Sequence, residues 1–448
     1  MSTLGAFCVH AVATDSEIGL FMGCVADLVE DRAPALITVT RVSHLRRTVA
    51  SHLKCTRKDR TMTATVDREP LAQLDAATIE KQLAAGRVLP PAFYNDESIR
   101  RLEDQLIFRH AWQMVCAELD VREPGQYATT EIASVPVVVV RDKERILRAF
   151  VNICTHRANP IMTERSGTCR LMQCGYHGWA FGLDGQLTGV PKFAEGNLPP
   201  FQTLALRELP VDVFAGVVFV AVEPQESLME QLGDMPRVMT DAGYDFPFAD
   251  ADSGVQPLAE HTGSYEVDAN WKVLVENFNE CYHCPPTHPG TFAAALEVGT
   301  PDYGLSQAGK FGMFAGLRLR DSMQPKFERS ADFTGMPHGF AQFFLWPNTI
   351  VMTGCVGEHL MRVEPIGVRT SRLTYLGYQR PGLPAEEVDA LYKLLMFEGG
   401  MEDKQIMESV QRGLDSGFYE PGPTMAGPEL VLSAFQRQVF GSLAPALG

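Results

Sequence analysis

No run in the 448 residues approaches the ~18 consecutive apolar residues of a membrane-spanning helix, so nothing in the sequence points to a membrane. Positive charge is scarce. Lys+Arg number 39 against 55 Asp+Glu, a formal net charge of −16, the wrong sign for holding nucleic acid through its phosphates. The glycines form neither G-x-G-x-x-G after a strand nor G-x-x-x-x-G-K-[ST], so no dinucleotide site or P-loop is expected. Any reducing power has to arrive from another protein. The first residues lack the basic, apolar, small-residue order of a secretory signal. The ten cysteines therefore read as reduced thiols or metal ligands in a soluble cytoplasmic protein, not as a disulfide framework.

What is present is an ordinary globular composition, 45% hydrophobic and 21% charged, in a chain long enough for two or three domains. Residues 1–61 stand apart. An acid-bearing start (Asp15, Glu17, Asp27, Glu30, Asp31) gives way to RVSHLRRTVASHLKCTRKDR, with no sustained period of 3.6 or 2. A transit peptide is one reading of the Arg-rich half, but the acids upstream argue against it. A disordered N-terminal extension, with the functional chain opening at Met62, is the expectation. From Val135 the pattern turns to strands: VPVVVV, a polar RDKE turn and ILRAFVNIC, then LMQC, WAFGLDGQLTGV and VFAGVVFVAV. Residues 110–224 thus form a small all-β module that ends at Pro224. Beyond it come a strand at SYEVDANW, a helix, the strands FAGLRLR, FFLWPNTIVMTGC, HLMRVEPI and SRLTYLGYQ, and a closing helix through EEVDALYKLLMFEGGMEDKQIMESVQRGL. Closely spaced strands with helices at both ends predict an antiparallel sheet wrapped on helices, an α+β architecture.

Inside the β module stand CTH (154–156) and CGYH (174–177), each pairing one Cys with one His. A common structural zinc finger groups a Cys pair and then a His pair. The mixed order of Cys154, His156, Cys174 and His177 suits a Rieske [2Fe–2S] centre, in which one iron keeps two thiolates and the other takes two imidazoles. A Cys2His2 zinc site, or two buried cysteines beside two satisfied histidines, are the competing readings. Cys169 lies outside the pairs and reads as a buried core thiol.

The second constellation is ENFNECYHCPPTH, residues 276–288. Trp271, Leu274, Phe278 and Cys281 or Tyr282 fall at helical spacing, which predicts an amphipathic helix through His283. Glu276 and Glu280 share its other face, and Glu280 can meet His283 three residues on. His283 and His288 would diverge on a continuous helix. Pro285 is expected to end it, since proline disfavours α geometry at Cys284, so that His288 folds back toward His283. Asp403 falls on the apolar face of the closing helix with Ile406, Met407 and Val410. An inward carboxylate is costly unless paired or bound to metal, and the alternative is a first-turn acid favoured by the helix dipole. Two histidines and one carboxylate form the facial triad of non-haem Fe(II) oxygenases.

A cluster-type domain followed by N-W-K…E-N-F…E-C-Y-H…H-P and a late E-D resembles the alpha subunit of the Rieske non-haem iron oxygenases, over roughly residues 85–420. CTHRANP and CGYHGWAF, with Trp179, resemble the two cluster loops, and LPPAFYNDESI, IFRHAWQMVC and EPGQY also fit. The resemblance implies N-terminal helices at 62–109, a Rieske domain at 110–224 and a helix-grip catalytic domain at 225–448. It implies a [2Fe–2S] cluster and one Fe(II) per subunit, with electrons from NAD(P)H through a separate flavin/iron–sulfur reductase. It also implies a homotrimer in which the relay runs from His177 through Glu280 to His283 across the subunit interface. Most ring-hydroxylating members carry Asp where this chain has Glu280. The glycine betaine and carnitine monooxygenase branch carries Glu with an E-C-Y-H-C run. The implied reaction is then O2-dependent hydroxylation of a carbon next to nitrogen in a small methylated ammonium compound. Hydroxylation or O-demethylation of an aromatic acid is the alternative chemistry, and an electron carrier with a degenerate second site is the alternative class. Tyr282, Phe344 and Trp346 are candidate walls for a cation, while Cys281 and Cys284 read as packing thiols.

Overall fold

A computed structural model of the protein describes residues 74–191, 199–241, 256–298, 302–305, 311–320, 340–354, 357–379 and 385–447. The expected extension at 1–61 lies outside them. Helices Ala76–Ala84, Ala92–Asn95 and Glu97–Glu103 open the described chain. Asp75 and Asp96 cap two of them by accepting from first-turn amides. The run is extended by a π-turn over Asp104–Phe108.

The β module is built of short antiparallel sheets. Ser166–Thr168, Gln126–Ile132, Val135–Arg141, Leu147–Val151 and Glu208–Leu209 lie side by side in that order. Met172–Gln173, Ala180–Phe181 and Leu187–Gly189 form a small meander. Gln113–Ala117, Val217–Val220 and Val211–Phe214 make a third sheet. Val138, Val140, Phe150 and Phe181 point into one core, and Val137, Val139 and Ala149 into another. The unbroken VPVVVV run therefore feeds two cores from alternate positions of one strand. After Pro224, Ser227 and Glu230 form a capping box that starts the helix Leu228–Leu232.

An eight-stranded antiparallel sheet dominates the rest. Gln256–Val267, Ser371–Gln379, Gly357–Pro365, Thr349–Gly354, Phe340–Leu345, Phe311–Leu319 and Leu296–Glu297 follow one another, and Asp302–Leu305 also pairs with Phe311–Leu319. FFLWPNTIVMTGC is a hairpin of two strands, turned by Trp346, Pro347 and Asn348, with a cis Trp346–Pro347 bond. Phe344, Ile350, Met361 and Leu373 face the helices Trp271–Phe278, Gly399–Asp415 and Leu430–Leu443, packing with Trp271, Met407 and Phe435. Phe343, Val351 and Leu360 face the other way, against Met114, Phe219 and Met235. Both faces are covered, so these strands read as continuous apolar runs without polar alternation. The helix Leu430–Leu443 follows the one read from sequence as the last. Among the described residues no helix is long and apolar enough to cross a membrane.

Candidate active site and cluster loops

The two Cys/His loops have the same local construction. In the first, the Cys154 amide donates to the Asn159 carbonyl at 2.9 Å and the Ala158 amide to the Cys154 carbonyl at 2.9 Å. In the second, the Cys174 amide donates to the Trp179 carbonyl at 2.8 Å and the Gly178 amide to the Cys174 carbonyl at 3.0 Å. Each turn closes through a left-handed residue, Ala158 (φ 56°) and Gly178 (φ 72°). Cys154 and Cys174 are buried while His156 and His177 are exposed, their rings 4.6 Å apart edge to face, and His156 stacks on Trp179 at 4.6 Å. Burial pushes the Cys154 thiol above its ordinary value. Among the described residues a single set of three or more ligand-type side chains converges within 4.8 Å, and it is not this one, so these four do not crowd around one ion as a zinc site requires. Two buried sulfurs and two outer imidazoles fit a two-iron cluster, and Asn159 Nδ2 lies 3.7 Å from Cys174 Sγ, where a donor to sulfur tunes such a centre. Cys169 is half-buried at the edge of this core, not inside it.

The set that does converge is His283, His288 and Asp403. The expected route differs. The helix that starts at Trp271, capped by Asn270, stops at Phe278 and does not reach His283. Glu280 lies beyond it, and its carboxylate accepts from the Tyr282 amide and, at 3.1 Å, from the His283 amide. A side chain that satisfies backbone donors in this way competes with helix and sets a turn. Pro285 then helps to open a second short helix, Cys284–Thr287, instead of breaking the first. His283 precedes that turn and His288 closes it. Cys281 and Cys284, expected as free thiols, are joined in a disulfide, because the turn brings their Cα atoms to 5.0 Å. Glu276 faces away, accepting from Tyr94 Oη at 2.6 Å and Gln436 Nε2 at 2.9 Å, and burial pushes it up to about 7.

Asp403 sits on the helix Gly399–Asp415, entered through a π-turn at Lys393–Glu398. Gly399 is needed for close approach, since a Cβ there would meet the Phe292 ring at 2.7 Å. Asp403 is buried and accepts from His288 Nε2 at 3.0 Å, with His283 Nε2 at 3.4 Å. Asn277 Nδ2 donates to the same Asp403 oxygen at 3.0 Å. Each histidine gives its other ring nitrogen to a carboxylate: Nδ1 of His283 to Glu280, and Nδ1 of His288 to Glu402 Oε2 at 2.7 Å. Thr291 Oγ1 donates to that same Glu402 oxygen at 2.7 Å. Both imidazoles therefore turn Nε2 toward Asp403, and the Nδ1 bonds would fix the neutral tautomer whose Nε2 is free for a metal. Burial lowers His283, but Asp403 and Glu280 more than offset it and hold it up to about 9. Burial likewise raises Asp403, and the two imidazoles overcome it, leaving its carboxyl below the ordinary range. A divalent cation would replace the shared proton between these groups. Glu402 and Asn277 were not singled out in the sequence. The acid beside Asp403 in E-D was the available signal for Glu402, because metal-binding histidines regularly hand their second nitrogen to a carboxylate.

The triad opens on a cavity of about 380 Å³ walled by Tyr265, Phe278, Phe292, Tyr375 and His359, with Glu260 and Asp389 on its lining. Tyr265 is pushed up by burial and by the Asp403 charge, so it stays protonated. The three aromatic residues expected as cation walls are elsewhere. Tyr282 is 56% exposed, and Phe344 and Trp346 are buried against Phe435, at ring distances of 5.6 and 6.1 Å.

A Rieske [2Fe-2S] domain pattern matches residues 111–210, and the pattern of the ring hydroxylating alpha subunit (catalytic domain) matches 258–442. The chain belongs to the Rieske non-haem iron oxygenases, as an alpha subunit with a [2Fe–2S] domain and a mononuclear-iron catalytic domain. Its relatives are monooxygenases of quaternary ammonium compounds. The carnitine monooxygenase oxygenase subunit of Escherichia coli K12 is 29% identical over 75% of this chain and 87% of its own. The glycine betaine monooxygenase oxygenase subunit of Chromohalobacter salexigens is 27% identical over 79% and 86%. The chloroplastic choline monooxygenase of Spinacia oleracea is 30% identical over 74% and 71%. A solved quaternary ammonium Rieske monooxygenase, described for carnitine oxidation and inter-subunit electron transfer, superposes with a TM-score of 0.70 at 25% identity, covering 82% of this chain and 98% of that one.

Proposed function

We propose that this protein is the oxygenase component of a two-component monooxygenase that hydroxylates a carbon next to nitrogen in a small methylated ammonium compound. The observation that carries this is the cavity beside His283, His288 and Asp403, whose tyrosine and phenylalanine walls suit a desolvated cation. His283, His288 and Asp403 would hold Fe(II), with Cys154, His156, Cys174 and His177 holding the cluster. When bound, these groups supply single-electron transfer and dioxygen activation. The chain's own residues bind and orient. Tyr265 and Tyr375 line the cavity in which the ammonium would sit, and Glu280 and Glu402 keep the imidazoles in register. Glu280 would also accept from His177 of a neighbouring subunit in a homotrimer, an assembly in which the exposed His177 gains its partner. Residues 110–224 would receive electrons and 225–448 oxygenate, in the cytoplasm, served by a flavin/iron–sulfur reductase that oxidises NAD(P)H.

With a glycine betaine-like substrate the hydroxylated methyl leaves as formaldehyde; with a carnitine-like substrate C–N cleavage releases trimethylamine. Purified protein with a reductase, NADH and O2 should yield one of these products from glycine betaine, carnitine, choline or proline betaine. No product from any of the four, together with turnover of an aromatic acid, would move the chemistry to the ring-hydroxylating reading.

A further inference from the structure

His359 lines the same cavity, from the strand Gly357–Pro365, and is 4% exposed. Neither ring nitrogen makes a hydrogen bond of good geometry. Its cross-strand neighbours, Met352 and Gly377, offer no polar side-chain group to pair with it. The rings of Tyr375 and Tyr392 flank it at 5.6 and 5.7 Å. The Tyr392 hydroxyl is committed elsewhere, donating toward the Glu358 and Tyr378 carbonyls at 2.9 and 3.0 Å. Burial, with the His261 charge beside it, drives the imidazole down to about 3 against the pull of the His261 carbonyl, so it is neutral and offers one donor and one acceptor. Buried polar groups are regularly paired with protein, water or a ligand, and this imidazole borders a cavity that can hold such a partner.

Resting on the proposed function, we infer that His359 is a specificity-determining residue whose imidazole hydrogen-bonds an oxygen of the substrate, a carboxylate or hydroxyl, so that the methylated ammonium end is left to the aromatic wall. Acceptance of the ammonium compound alone needs only π faces and acids. Selection of one that carries oxygen needs a polar group, and a site built to hydrogen-bond a substrate penalises the analogue that lacks the partner.

Calorimetric binding to the iron-loaded protein separates the cases, with four ligands: glycine betaine (carboxylate), choline (hydroxyl), carnitine (both) and tetramethylammonium (neither). Wild-type protein is expected to bind at least one oxygen-bearing ligand ~10-fold or more tightly than tetramethylammonium. In His359→Leu that preference should shrink to within about twofold while tetramethylammonium binding stays unchanged, and His359→Gln should keep part of it. The ligand whose affinity falls in His359→Leu identifies carboxylate or hydroxyl. Unchanged preference in His359→Leu overturns the inference while leaving the proposed function standing. Wild-type protein that binds none of the four overturns that function and the inference with it.

Discussion

Cys154, His156, Cys174 and His177 come from two short hairpin loops of one β module, whereas Asp403 lies 115 positions beyond His288, its nearest partner. Each cluster loop is closed by its own backbone bonds, and its buried Cys and exposed His follow from two positions of one turn. The other site has no local template. It needs the turn after Phe278, a short helix at Cys284 and a helix entered through a π-turn. Local geometry makes a site that one substitution removes cleanly. A site assembled from distant elements is instead held by a surrounding shell, and each member of that shell should register when changed.

The largest expected effect breaks either half alone. Cys174→Ala should erase the visible absorption of the cluster and spare the mononuclear iron. Asp403→Ala should do the reverse, taking iron from about three to about two per chain. Turnover should fall by more than ~100-fold in both, beyond the range usual for shell residues. Iron analysis with spectroscopy reads this; loss of both metals from Asp403→Ala would show that the two sites are not independent.

Glu280→Gln should leave both metals bound and nearly abolish turnover, with steady-state NADH oxidation as the readout. Substantial residual activity would refute an electron-bridging role. The pH dependence of Fe(II) uptake by metal-free protein comes next. His283 is held up to about 9 by the carboxylates beside it, so its proton is kept below that pH and competes with the metal. Affinity should therefore climb by up to ~10-fold per pH unit from neutral toward 9, then level off. A flat profile would mean the imidazole is not charged in the empty site.

Glu402→Gln should weaken iron binding by ~10-fold with the cluster untouched, since His288 would lose its anionic partner. The smallest effect belongs to Cys281 and Cys284. Reducing a link of sequence separation 3 removes about 2 kcal/mol or less of chain-entropy stabilisation. A Tm shift on adding reductant, absent in Cys281→Ser, would verify the pair.

The β module was legible because its candidate cluster ligands stand at fixed offsets within turns and its strands alternate or run apolar by simple rules. His283, His288 and Asp403 were legible as residue types, yet the path between them was misread. Helical periodicity through 270–283 took no account of the Glu280 carboxylate, which satisfies the next turn's amides and ends the helix early. Phe344 and Trp346 were candidates for a cation site because an aromatic in or beside a strand looks alike on either face. Packing against Phe435 puts them in the core. His359 was invisible for the opposite reason, being one histidine in an apolar strand.

Residue order alone decided the chemistry available to this chain: which donors exist, in which pairs, and that a cluster domain precedes a His/His/carboxylate domain. Tertiary folding decided which carboxylate orients which imidazole, which aromatics face the cavity, and that Cys281 meets Cys284. Those outcomes depend on the direction of side chains between elements far apart in sequence. Direction is set by packing and burial, which no local spacing encodes.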